Sequence, residues 1–143
     1  MVDTKCVCDF GVLVDCDSKF TEHINSVTIH GRARANLVLK CFESRDHGTL
    51  LRSFTTYVRP LLEYASPVWF PSTKGAISKT ELVQRRFTKR ILGLSSYCYE
   101  ARLALLELES LETRRIKADL VYVYKIVFNL VDTDADNFFQ CDW

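Results

Sequence analysis

Apolar residues recur at intervals of three and four along most of the chain, the period of an α-helix that packs on one side. The first such stripe is Phe20, Ile24, Val27, Gly31, Ala35, Val38 and Phe42. It predicts a long helix capped by Asp17 or Ser18 and running to Glu43. Gly31 lies on the stripe, where it costs about 1 kcal/mol relative to alanine. Its position there marks either a close helix crossing or a weak joint. A second stripe holds Leu50, Leu51, Phe54, Tyr57, Val58, Leu61 and Leu62, with Asp46 as its cap. Pro60 removes a backbone donor from the middle of that pattern, so a kink or restart is expected near Arg59.

Pro67 and Pro71 bracket Val68-Trp69-Phe70, which predicts an extended loop. A third helix is expected over residues 78–92, stopping at Gly93, with Val83, Phe87, Ile91 and Leu94 on one face. Arg85 and Lys89 then fall opposite that face, and Arg86 and Arg90 on its flanks. A short helix over 99–108 and a longer one over 110–130 complete the set. The last is apolar all round, from Leu111 and Ile116 through Leu120 to Phe128 and Leu130, so something must enclose it. Ahead of the helices, residues 5–14 are β-branched and cysteine-rich around Gly11, the pattern of a strand or hairpin edge.

The predicted fold is therefore mainly α, with about five helices in a bundle and a short N-terminal β segment. Residues 1–17 form the β segment, 18–130 the helical region and 131–143 an acidic irregular tail. The 143 residues suffice for one domain, and 48% hydrophobic content supports a sizeable core.

The net charge of +1 conceals an uneven distribution. Residues 74–90 carry six basic side chains against Glu81 alone, and residues 131–143 carry four aspartates and no cation. The six cysteines follow no secretory leader pattern, which favours reduced thiols and an intracellular protein, nuclear or cytoplasmic, that is not secreted. No stretch approaches the ~20 apolar residues of a membrane span.

Most catalytic signatures fail. There is no phosphate-binding Gly-x-x-x-x-Gly-Lys loop, no nucleophile elbow and no His-Glu-x-x-His pair. Cys6-x-Cys8 is too close for zinc, and His23 and His30 lack a partnering Cys-x-x-Cys. Asp132-x-Asp134-x-Asp136 begins like a calcium loop, but Asn137 and Trp143 stand where glycine and glutamate are needed. Polymerase chemistry uses paired carboxylates to hold two magnesium ions, and no adjacent Asp-Asp pair occurs. No catalytic residue, metal ligand or cofactor is expected. The positive signal is Gln84-Arg85-Arg86-Phe87-Thr88-Lys89-Arg90. Its four cations on one amphipathic helix favour contact with backbone phosphates, indifferent to base sequence, over an ordinary solvated helix face.

Several stretches resemble one family. Asp9-Phe10-Gly11-Val12-Leu13-Val14-Asp15 is similar to the segment that closes the palm of non-LTR (LINE-type) retrotransposon reverse transcriptases. Phe20-Thr21-Glu22-His23-Ile24 resembles the start of the helix that follows it. The run from Thr55 through Arg59-Pro60-Leu61-Leu62-Glu63-Tyr64-Ala65-Ser66-Pro67 to Trp69 resembles the family's post-catalytic signature. Val83 to Ile91 and Leu108-Glu109-Ser110-Leu111-Glu112-x-Arg114-Arg115 follow in the family's order. The likeness extends from residue 7 to residue 130, with Cys8 where the family commonly has lysine and Gly31 where it has alanine.

The resemblance implies a thumb and connector region, whose parent enzyme copies RNA into DNA and carries its Tyr-x-Asp-Asp pair upstream of Met1. Expected partners are RNA or DNA backbone, and the upstream polymerase domain or a second copy of the chain through the last helix. Two other readings remain open at this point: a helical protein-interaction module derived from such an element, or a degraded copy without function.

Overall fold

Phe10 and Gly11 both take positive φ, 44° and 81°. Two consecutive positive-φ residues are what a two-residue hairpin turn requires, and glycine tolerates its place there without strain. Strands β1 (Cys6–Asp9) and β2 (Val12–Asp15) accordingly pair antiparallel, with Cys6 opposite Asp15 and Asp9 opposite Val12. The computed structural model describes residues 6–17, 19–42, 46–71 and 73–132.

Helix α1 spans Thr21–Cys41. It has no side-chain cap of the expected kind: Phe20 precedes it in a left-handed conformation. Asp15, at the end of β2, accepts the N–H of Lys19 at 2.7 Å and of Phe20 at 3.2 Å. Hairpin and helix are thereby tied at their junction. Ser18 and Glu43, the expected cap and end, lie outside the described residues.

Helix α2 (His47–Ser53) is capped by Asp46, which accepts from Thr49 N at 2.8 Å. It continues through one π turn (Phe54–Val58) into α3 (Arg59–Glu63). The widened turn lies just ahead of Pro60, whose missing N–H breaks the regular ladder, so the break expected near Arg59 takes the form of a π bulge. The expected extended loop at 67–71 is instead partly helical: α4 (Ser66–Trp69) is a single turn. Pro67 sits in its first turn, where no backbone donor is needed.

Helix α5 spans Lys74–Lys89, earlier than the expected 78–92, because the Thr73 hydroxyl accepts from Ala76 N and starts it four residues sooner. Gly93, at φ 79°, lies in the turn beyond it. Helix α6 (Tyr99–Leu105) is shorter than expected, and α7 (Leu111–Val127) is capped by Ser110. The chain is mainly α-helical with a short N-terminal β hairpin.

The main core gathers Ala35, Val38 and Leu39 of α1, the stripe Leu50, Phe54, Val58 and Leu62, and Val83, Phe87 and Ile91. Phe54 and Phe87 stack with centroids 4.5 Å apart. Gly31 marks the close crossing: a Cβ there would stand 2.8 Å from Leu62 Cδ2. A smaller cluster under the hairpin holds Val12, Ile24 and Trp69. Trp69 Nε1 donates to Tyr64 O at 2.7 Å, and His23 meets the indole edge-on at 5.1 Å.

Among the described residues, nothing encloses the last helix on every side. Ile126 is buried, but Leu120 to Tyr124, Val127, Phe128 and Leu130 are exposed. Helices α4 and α5 pack against α7. Residues 133–143, most of the acidic tail, lie outside the described residues. Among the described residues no helix is long and apolar enough to cross a membrane.

Candidate nucleic-acid interface

Helix α5 buries two faces and leaves a basic edge outside. Val83 and Phe87 enter the main core. Thr80, Glu81, Gln84 and Thr88 are also buried, though all are polar. Each has a partner in α6, in α7 or in the segment between them, although Gln84 Oε1 finds none among the described residues. Glu81 accepts from Leu111 N at 3.0 Å and from the Tyr99 hydroxyl. Gln84 Nε2 donates to the Tyr99 hydroxyl at 3.1 Å and to Glu109 O at 2.9 Å. Burial, and then the Glu81 hydrogen bond, raise the Tyr99 pKa, so the phenol keeps its proton. Arg102 Nε donates to Thr88 Oγ1 at 3.2 Å, and Arg115 donates to Thr80 Oγ1 at 3.1 Å and Leu62 O at 3.2 Å. These two buried arginines, with Arg115 also 5.3 Å from the Trp69 ring centroid, are structural.

The four expected contact residues are all exposed but do not form one patch. Arg86, Lys89 and Arg90 line a groove between α5 and α1, facing Arg32 and Asn36. Its floor is Ala35, Leu39, Val83 and Phe87, and its volume is about 300 Å³. Among the described residues, no acidic side chain lines it. Arg90 Nη1 donates to Asn36 Oδ1 at 2.6 Å, and Lys79 Nζ donates to Asn25 Oδ1 at 3.2 Å. Both contacts join residues 54 apart, so α1 and α5 run parallel with a constant offset. Arg32 has no ion-pair partner among the described residues, and its buried Nε finds no acceptor there.

Arg85 points the other way. Its guanidinium lies over the Tyr99 ring at 4.6 Å from the centroid, in a cleft shared with Glu81 and Glu112. The expectation that Arg85 stands opposite the apolar face beside Lys89 therefore separates into two sides of one helix. Arg32 and Asn36 were not expected. Their position on α1, beside Gly31 and Ala35 of the apolar stripe, places them at the rim of whatever packs there. Only the three-dimensional pairing reveals that α5 does.

The chain is similar to an uncharacterized protein of Caenorhabditis elegans, with 28% identity over 111 residues. The match covers 76% of this chain and 56% of the worm protein, so the chain spans little more than half the length of that relative. No family model and no solved structure matches the chain.

Proposed function

We propose that this chain is the non-catalytic thumb and connector region of a retrotransposon-derived RNA-directed DNA polymerase, working inside the cell. It contacts nucleic-acid backbone through the basic edge of α5. The observation that carries the reading is the groove in which Arg86, Lys89 and Arg90 face Arg32 with no carboxylate among them. Cations concentrated without acidic neighbours favour a polyanion over an internal salt-bridge lattice. The resemblance of the Thr55–Trp69 and Val83–Ile91 runs to that polymerase family supplies the parent activity. The chain has no adjacent aspartate pair for magnesium, so catalysis belongs to the upstream domain. The isolated protein is expected to add no nucleotides to a primed RNA template.

The test is a salt titration of binding to an RNA or DNA oligonucleotide. Replacing Arg85, Arg86, Lys89 and Arg90 together with glutamine should lower affinity for all sequences alike. It should also flatten the log–log salt dependence by roughly 0.7–0.9 for each phosphate that is no longer neutralised. An unchanged slope would reduce the cluster to a solvated helix face. A protein-interaction role is favoured by one other observation, the exposed apolar residues of α7 from Leu120 to Phe128. They fit contact with the upstream polymerase domain or a second copy of the chain.

A further inference from the structure

Resting on the nucleic-acid reading, we infer that the α1–α5 groove takes an unpaired nucleotide, with one base on its apolar floor and the flanking phosphates on its rims. A surface that contacts backbone alone needs only charge. This groove has charge on both rims and a narrow apolar floor between them, where Ala35 and Leu39 keep a little accessible surface and the buried Val83 and Phe87 close the bottom. That composition matches a ligand that is itself half apolar and half anionic, which a nucleotide is.

Geometry excludes the paired form from the floor. Packed helices stand ~8–10 Å apart, so the groove between parallel α1 and α5 is narrow. A duplex is wider than its own ~12 Å major groove, and its base faces are already stacked inside it. Only a splayed base from a single strand, loop or end enters. Arg32 supplies a planar guanidinium on one wall and Arg86 another on the opposite wall. Such planes stack on bases as well as pair with phosphates. Asn36, held through Oδ1 by Arg90, keeps its amide N–H group as a donor to a base edge.

The experiment measures binding of the full chain by fluorescence anisotropy to three probes of equal length, about twelve nucleotides. These are oligothymidylate, an abasic strand with the same phosphates, and a DNA duplex. Oligothymidylate should bind about tenfold more tightly than either of the others, the scale of one good base contact. Arg32→Lys keeps the charge and removes the plane, so it should weaken oligothymidylate severalfold and leave its salt slope unchanged. Equal affinity for all three probes would overturn the inference while leaving the backbone-contact reading intact. So would a normal preference that Arg32→Lys does not touch, because the base would then lie elsewhere. Failure to bind any probe at low salt would overturn both.

Discussion

Glu81, in the middle of α5, accepts the backbone N–H of Leu111, the first residue of α7, at 3.0 Å from Oε2 and 3.3 Å from Oε1. One helix therefore caps the start of another, where the exposed amides and the helix dipole favour an acidic group. The same carboxyl group accepts the Tyr99 hydroxyl at the start of α6. Both C-terminal helices are thus registered on a single buried side chain.

Replacing Glu81 with alanine should orphan both donors in a largely buried site. The expected cost is about 2–4 kcal/mol. Urea unfolding should show it as a lower midpoint with an unchanged slope. Tyr99→Phe should cost less, since it leaves the Leu111 N–H bond in place. A Glu81→Ala protein as stable as wild type would mean that Ser110 alone suffices to start α7.

The apolar frame is legible because its period is local: Val83, Phe87, Ile91 and Leu94 repeat on a helical face, and all four are buried. The Pro60 break is legible for the same reason, since a missing donor disrupts its own helix. The polar face of α5 is not legible. Thr80, Glu81, Gln84 and Thr88 look like a solvated side until α6 and α7, many residues later, supply their partners. The binding edge divides likewise. Arg86, Lys89 and Arg90 are visible as a cluster, whereas Arg32 joins them only through the packing of α1 on α5. For α7 the all-round apolar pattern is plain, but which part of it is covered depends on where α4 and α5 pack, which its own period does not encode.

Arg85 and Arg86 should separate on substitution. Arg86→Gln removes a groove cation and should flatten the salt dependence by one phosphate, roughly 0.7–0.9. Arg85→Gln removes the cation over the Tyr99 ring and should cost stability of about 0.5–1 kcal/mol instead. Equal effects of the two on the salt slope would contradict the division of the cluster by the helix.

Acid should loosen the hairpin. His23 Nδ1 accepts the Leu13 N–H at 3.2 Å, so the folded state holds the ring neutral. Burial lowers its pKa below the ordinary 6.5. The unfolded chain then binds the proton more readily, and stability rises with pH through this window. The contribution is complete above about pH 6.5 and is lost progressively below it. Denaturation midpoints at neutral pH and about one unit below 6.5 should differ in that direction. His23→Gln retains an acceptor without the titration and should remove that part of the difference. An undiminished pH dependence in this variant would assign it to another group.

The isolated chain should self-associate through α7. Ile116, Leu120, Val123 and Val127 are all exposed and spaced four, three and four apart, the 3.5-residue period of a helix seam. Tyr124 and Phe128, whose rings lie 4.4 Å apart, extend the apolar surface to one side. A contiguous patch beyond the ~300–600 Å² usual on monomers drives contact with another surface. Val123 and Val127 are 38% and 52% exposed, so lysine at both positions keeps its charge in water. The double variant should sediment as a monomer with unchanged helicity, while the wild type shifts to larger species as concentration rises. Two lysines that unfold the protein would mean that this face is covered within one chain, because unpaired charge is not tolerated there. A wild type that stays monomeric at high concentration would leave α7 without a role in self-association.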